Sequence, residues 1–145
     1  MENDKIVYPE LSYKIVGCLF EVYNNTGYGH REKYYQYAVA RELSFQKIGY
    51  IEQYKTDLKY KNEKVGNNFL DFLIEDKIIL ELKVGNCFSK RNLEQVLEYL
   101  KILDKKLAII ANFTRDGLKF YRVLNLRWSQ AAYMYICKGF VICRK

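Results

Sequence analysis

Residues 69–83 read FLDFLIEDKIILELK, and this segment decides the fold because two apolar runs are separated by a short polar break. Each run has the length and composition of a buried strand, and Glu75-Asp76 lies where a turn is needed, so the segment predicts an antiparallel hairpin. Asp71 lies inside the first run, and Glu81 and Lys83 follow at the end of the second. Charged side chains within apolar strands are costly unless they act together or bind a ligand, so the hairpin predicts a functional site.

The register of this hairpin decides whether the two carboxylates meet. A two-residue turn at Glu75-Asp76 pairs Asp71 with Leu80 and leaves Asp71 on the wrong face from Glu81, whereas a three-residue turn or a bulge pairs Asp71 with Glu81 directly. Directly opposed carboxylates repel each other, which is tolerable if a divalent cation lies between them. We therefore expect the second register.

The residues at this position suit a hard cation. The carboxylates of Asp71 and Glu81 and the backbone carbonyl of Leu82 form an all-oxygen donor set of the kind that Mg²⁺ (or Mn²⁺) prefers, and such an ion activates water and stabilises phosphate charge. Lys83 is then placed to orient or deprotonate the attacking water and to offset negative charge. The structural alternative is a plain Glu–Lys pair on a half-exposed strand.

Outward from the hairpin, apolar periodicity and breaker residues predict the element order ααβββαββ. This order is typical of an α/β fold in which a mixed sheet is flanked by helices. Residues 1–125 are predicted to form one domain and residues 126–145 a C-terminal extension, with a further helix near 129–137 as one interpretation. The predicted elements are helices near 9–23, 30–47 and 90–104 and strands near 50–60, 65–74, 77–84, 107–111 and 120–123.

Composition limits the chemistry. The formal charge is +7, which favours a polyanionic partner such as nucleic acid, although many basic proteins bind none. His30 is the only histidine, so a hydrolytic mechanism must use carboxylates, lysine and metal. The four cysteines form no CxxC pair, which predicts free thiols, and the polar N-terminus and the absence of a long apolar run predict a cytoplasmic protein outside the membrane.

These residues resemble a known family. Asp71 and the run Glu81-Leu82-Lys83, in a strand–strand–helix setting, resemble the PD-(D/E)xK nuclease superfamily, with Leu70 in place of the proline. Residues 29–35 spell GxxExxY, the signature of a family of small proteins in that superfamily. Gln95 and Tyr99 match a QxxxY pattern on the following helix, and the resemblance spans roughly residues 10–124.

The resemblance implies a restriction-endonuclease-like core, a Mg²⁺-type site and hydrolysis of phosphodiester bonds, in DNA in preference to RNA. It implies that Asp71 and Glu81 are metal ligands, that Lys83 is the catalytic lysine, and that Glu32 is a further ligand or a carboxylate that positions water. Glu32 is equally explained as a surface acid stabilised by a helix N-terminus. Glu21 is the alternative helix carboxylate.

Three further residues complete the implied site. Gln95 and Tyr99 lie one helical turn apart and are expected to hold Lys83 or to contact a phosphate, unless they serve packing alone. Tyr35 is expected in the core. Basic residues on and after the third helix are candidate nucleic-acid contacts, although each is also explained as a solvated charge: Lys90, Arg91, Lys101, Lys105 and Lys106.

Two alternative functions stay open at this point. The same fold without activity would be a nucleic-acid-binding module whose binding is sensitive to salt. A protein-interaction domain, including a homodimer formed through the aromatic C-terminal extension, is the other alternative.

Overall fold

The computed structural model describes residues 7–125 and the strand residues 142–143. The predicted helix near 129–137 and the boundary of the C-terminal extension therefore lie outside the described residues. The elements are α1 (Pro9–Thr26), α2 (Glu32–Phe45), β1 (Tyr50–Tyr60), β2 (Glu63–Ile74), β3 (Ile78–Val84), β4 (Phe88–Ser89), α3 (Lys90–Leu103), β5 (Leu107–Thr114), β6 (Gly117–Leu124) and β7 (Ile142–Cys143).

The main sheet has five strands in the order β1-β2-β3-β5-β6. The pair β3–β5 is parallel and the other neighbouring pairs are antiparallel, so the sheet is mixed. A parallel connection needs a crossover, and α3 provides it. Every residue of β5 is buried, as are residues 78–82 of β3, because central strands are covered on both faces.

Helices cover the two faces of this sheet. Buried side chains of α1 and α2, including Leu19 and Leu43, pack with Leu80 and Ile109 in one apolar cluster. On the opposite face, Val96 and Leu100 of α3 pack with buried residues of β2, β3, β5 and β6 in a second apolar cluster. The predicted α/β fold, with a mixed sheet flanked by helices, is confirmed.

The hairpin of β2 and β3 has the register that places the carboxylates opposite each other. Ile74 pairs with Ile78 and Phe72 with Leu80, which leaves the three residues 75–77 as the turn. Glu75 and Asp76 have φ values of 51° and 54°, and the turn closes with a 2.9 Å hydrogen bond from the Lys77 amide to the Ile74 carbonyl. The expected three-residue turn is confirmed.

Several boundaries differ from the prediction. Helix α1 continues to Thr26 and ends at Gly27, whose φ of 67° a glycine adopts readily. Helix α2 begins at Glu32 instead of residue 30. Strands β4 and β7 form an additional two-stranded parallel sheet, and segments of two residues are too short to produce a detectable sequence pattern.

The cysteines differ from the expectation of free thiols in one respect. Cys87 is disulfide-bonded, whereas Cys18 is a buried free thiol on α1. Burial, together with the charge of Glu42, raises the pKa of Cys18 to about 11, so this thiol stays protonated at neutral pH. Among the described residues, the helices are too short or too polar to cross a bilayer.

Candidate active site

The site begins where the ladder between β2 and β3 ends. The last cross-strand pair is formed by Phe72 and Leu80. Asp71 and Glu81 are the next residues on the two strands. The Asp71 amide donates a 2.9 Å hydrogen bond to Oε1 of Glu81, and the Leu82 amide donates a 2.8 Å hydrogen bond to Oδ2 of Asp71. The two carboxylates thus take the place of the backbone carbonyls that would accept these hydrogen bonds in a continuous ladder. The strands can therefore separate here while both amides keep a hydrogen-bond acceptor.

This reciprocal arrangement brings two carboxyl groups into contact inside the protein. Glu81 is 4% exposed, and burial and the charge of Asp71 raise its pKa. Burial also raises the pKa of Asp71, although the bond from the Leu82 amide and the Lys83 ammonium act in the opposite direction. Two carboxylates in direct contact repel each other, and a shared proton or a bound cation offsets this repulsion.

Lys83 provides one positive charge beside the pair. It follows Glu81 by two residues on β3, so both side chains leave the same face of the strand. Its ammonium lowers the pKa of Glu32, Asp71 and Glu81, each of which burial raises. Lys83 therefore lies within electrostatic reach of all three predicted acids.

Glu32 reaches the site from the first residue of α2. Burial raises its pKa, and the charge of Asp71 does so to a smaller extent, which places this carboxylate near the Asp71–Glu81 pair. Glu21, the alternative helix carboxylate, accepts a 3.1 Å hydrogen bond from Asn25 on α1. Glu32 is the helix acid that the structure brings together with Asp71 and Lys83.

The tyrosine of the GxxExxY segment explains how Glu32 is held. Tyr35 is fully buried, stacks on Phe113 with ring centroids 4.1 Å apart, and donates a 2.6 Å hydrogen bond to the Gly27 carbonyl. The residues between α1 and α2 are thereby fixed to the core, and Gly29 within them has a φ of 107°. The expected core position of Tyr35 is confirmed, and it anchors the helix start that carries Glu32.

Gln95 and Tyr99 interact with each other beneath the site. Gln95 Nε2 donates to the Tyr99 hydroxyl at 3.0 Å, and that hydroxyl donates to the Phe69 carbonyl at 3.4 Å. Tyr99 is 1% exposed, and burial together with the charges of Glu81 and Asp71 raises its pKa to about 12. This burial leaves Tyr99 no surface for the predicted contact with nucleic acid, and its hydroxyl contacts the backbone of the strand that carries Asp71.

The predicted basic contacts begin at the N-terminus of α3. Lys90 and Arg91 are exposed there, and Lys90 lies 3.8 Å from Glu94 in an ion pair along the helix. Lys105 instead pairs with Asp76 at 2.9 Å on the turn between β2 and β3. Contacts of these residues with nucleic acid stay predictions.

Two residues next to the site were not predicted. Gln53 lies opposite Asp71 in the register of β1 and β2, has a φ of 48° within a strand, and places Nε2 3.5 Å from Asp71 Oδ1. Asn112 pairs in register with Lys83, is 1% exposed, and its Oδ1 has no hydrogen-bond partner among the described residues. Neither residue belongs to a motif, and only the register places it at the site.

The predicted three-carboxylate metal site is not formed as a closed cluster. No three His, Cys, Asp or Glu side chains within the described part of the chain lie close enough to hold a metal ion together. Asp71 and Glu81 are in direct contact. Glu32, at the start of α2, interacts with this pair through charge, since the charge of Asp71 raises its pKa. The contacting pair still fits an oxygen-preferring divalent cation, because such an ion would offset the repulsion between the half-buried Asp71 carboxylate and the buried Glu81 carboxylate.

A family model and a solved structure are similar to this chain. The family model described as "PD-(D/E)XK nuclease superfamily" matches residues 9–123, which include both strands of the site, α2 and α3. A solved structure titled "Crystal structure of SSO0001" is similar at 12% identity with a TM-score of 0.44, covering 79% of this chain and 77% of that chain. None of the curated proteins matches the chain significantly.

Proposed function

The chain belongs to the PD-(D/E)XK nuclease superfamily, and from this premise we propose that it is a metal-dependent nuclease that hydrolyses phosphodiester bonds in DNA. The observation that carries the proposal is the contact between the half-buried Asp71 carboxyl and the buried Glu81 carboxyl beside Lys83. Acids whose pKa is raised by burial and by a neighbouring charge are concentrated at functional sites. Membership of the GxxExxY family within the superfamily is part of the same proposal.

The proposed ion is Mg²⁺ or Mn²⁺, held by the Asp71 and Glu81 carboxylates and the Leu82 carbonyl, with Glu32 as a further ligand or as the carboxylate that positions water. When bound, such an ion offsets phosphate charge and makes water a stronger nucleophile at neutral pH. The amides of Asp71 and Leu82 bind one oxygen each of the Glu81 and Asp71 carboxylates, and the second oxygen of each carboxylate is proposed to bind the ion.

Lys83 is proposed to bind the scissile phosphate and the attacking water. Its ammonium supplies positive charge where negative charge develops on the phosphate oxygens, and a fixed charge in a partly buried site acts more strongly than one in water. Glu32, at the N-terminus of α2, is proposed to accept a proton from the water or to orient it, and burial raises its pKa above the ordinary value of a glutamate.

Gln95 and Tyr99 are proposed to act as positioning residues, because their hydrogen bonds run to the Phe69 carbonyl, two residues before Asp71. Lys90 and Arg91 are proposed to bind the nucleic-acid backbone at the start of α3. The preference for DNA over RNA, the cytoplasmic location and a homodimer stay predictions.

The test is a cleavage assay with purified protein. Plasmid, single-stranded DNA and RNA are incubated with Mg²⁺, Mn²⁺ or EDTA, and wild-type protein is compared with the Asp71→Asn, Glu81→Gln and Lys83→Met variants. We expect metal-dependent cleavage that each variant reduces by about 100-fold or more. Lys14→Met, at an exposed position of α1, is the matched control and should cleave like wild type.

The same assay separates the alternatives. Cleavage that survives both Asp71→Asn and Lys83→Met shows a contaminating activity or a different site. Salt-sensitive binding without cleavage under any metal condition indicates the non-catalytic binding module instead.

A further inference from the structure

A cleft of about 590 Å³ opens beside Asp71, between the first half of α2 and strands β1 and β2. Glu32 and Asp71 are part of its lining, so a group bound in the cleft lies against two acids of the proposed reaction centre. Its volume falls within the range of pockets that hold small organic ligands, and one nucleotide fits that range. The cleft is thus a candidate subsite for part of the substrate.

An exposed aromatic surface borders this cleft. Tyr37 lines it and is 57% exposed, and Tyr34, one turn earlier on α2, is 48% exposed. The His30 ring already stacks on Tyr34 with centroids 4.4 Å apart. Exposed aromatic rings are the groups on which unpaired bases stack, whereas a base inside a duplex has both faces covered by its neighbours.

The polar lining suits a base more than a phosphate. Gln36 and Gln53 offer amide donors and acceptors, and Glu52 offers a carboxylate that can accept from base N–H groups. The cleft lining includes the three acids Glu32, Glu52 and Asp71 against the single cation Lys33, a balance that repels phosphate oxygens.

Lys33 is the one cation among the residues that line the cleft. Its ammonium lies over the Tyr37 ring, 5.8 Å from the ring centroid. Proteins that bind single strands commonly combine an aromatic ring, on which a base stacks, with a nearby cation that binds the phosphate backbone.

We propose that this cleft holds one unpaired nucleobase next to the scissile phosphate, with Tyr37 stacking on the base. The substrate is then single-stranded nucleic acid, or a single-stranded segment at the end or branch of a duplex. The part of this inference that concerns cleavage rests on the proposed nuclease function. The part that concerns binding of the single strand can be tested without cleavage.

The experiment compares a single-stranded DNA of about 20 nucleotides with its own duplex, a length that exceeds the span of a typical single-strand site. Binding is measured by fluorescence anisotropy in EDTA and cleavage in Mn²⁺. The variants are Tyr37→Ala and Tyr37→Phe, and the matched control is Tyr13→Ala, an 82% exposed tyrosine on α1. Thermal melting of each variant verifies folding.

We expect wild-type protein to bind and cleave the single strand in preference to the duplex. Tyr37→Ala should weaken binding and cleavage of the single strand by about ten-fold, the size of one lost base-stacking contact, while Tyr37→Phe and Tyr13→Ala should behave like wild type. Such a result supports the base subsite.

Two outcomes overturn the inference: equal binding of single strand and duplex by wild-type protein, or a Tyr37→Ala loss that is the same for both substrates. A different outcome would contradict the proposed function. If no substrate is cleaved under any metal condition while the single strand is still bound in a Tyr37-dependent way, the nuclease assignment is contradicted and the base subsite is supported.

Discussion

The amide of Asp71 and Oε1 of Glu81 lie 2.9 Å apart, immediately beyond the last backbone pair of β2 and β3. A side-chain acceptor in place of a backbone carbonyl allows the two strands to separate without leaving a buried amide unpaired. The separation places both carboxyl groups at one point, where their repulsion requires a proton or a cation.

The stability of the metal-free protein should fall as pH rises. Burial raises the pKa of Glu81 above its ordinary value of 4.5, so above that value the folded protein binds more protons than the unfolded chain. Stability decreases with pH wherever the folded state binds more protons. Urea unfolding in EDTA should give a lower free energy of unfolding at about pH 8 than at about pH 5.5.

The control for this pH effect is Glu81→Gln, which removes the titrating carboxyl and keeps its shape. We expect its stability to depend less on pH than that of wild type, and to exceed wild type at the higher pH. Parallel pH profiles for the two proteins would show that the carboxyl pair does not titrate as described.

Lys83→Met should act mainly on the chemical step. The substitution removes the ammonium that lowers the pKa of Asp71 and Glu81, and with it the charge stabilisation at the phosphate in the proposed reaction. Steady-state kinetics should show kcat reduced by about 100-fold with a smaller change in KM. A raised KM with unchanged kcat would assign Lys83 to substrate binding alone.

Tyr99→Phe should affect stability and not the affinity for nucleic acid. The substitution removes the acceptor of the 3.0 Å bond from Gln95 and the donor to the Phe69 carbonyl, so a loss of about 1 kcal/mol in the free energy of unfolding is expected. Anisotropy with single-stranded DNA should give the wild-type Kd because Tyr99 is buried. A several-fold weaker Kd would restore Tyr99 as a direct contact.

Asn112→Leu should increase stability. Oδ1 of Asn112 has no partner among the described residues, and replacing an unpaired buried oxygen by an apolar group of similar volume should raise the free energy of unfolding by about 1 kcal/mol. The matched control is Asn125→Leu, because Asn125 Nδ2 donates to the Leu100 and Lys105 carbonyls at 3.1 and 2.9 Å.

The control should lose about 2 kcal/mol, since two backbone carbonyls lose their donor. A loss of stability in Asn112→Leu comparable to that of the control would show that the Asn112 amide is engaged in the folded protein. Urea unfolding of both variants provides the comparison.

The sequence predicts the fold correctly wherever a pattern of apolar and charged residues is compatible with only one local structure. The apolar runs around Asp71 and Glu81 required buried strands, and the repulsion between these two acids favoured the register that the three-residue turn produces. Helix periodicity placed α3 on one face of the sheet. These features follow from local composition and a single pairing.

The remaining features depend on long-range pairing. Gln53 lies near Asp71 because β1 pairs with β2 on both sides of it, at Glu52 and at Tyr54. Asn112 pairs with Lys83 because β5 lies parallel to β3 after a crossover. Phosphate contact and packing both stayed open for Tyr99, because an amphipathic helix does not reveal from its own sequence which edge of its apolar face lies beneath a site. The strands β4 and β7 are too short to carry a pattern.

The most direct test of the central claim is the anomalous diffraction of crystals soaked in Mn²⁺. The account predicts one Mn²⁺ peak in contact with the carboxylates of both Asp71 and Glu81, on the side that faces Lys83, and its loss in crystals of Asp71→Asn. Mn²⁺ bound elsewhere, or well-ordered Asp71 and Glu81 carboxyls that stay paired to each other without an ion at saturating Mn²⁺, would contradict it.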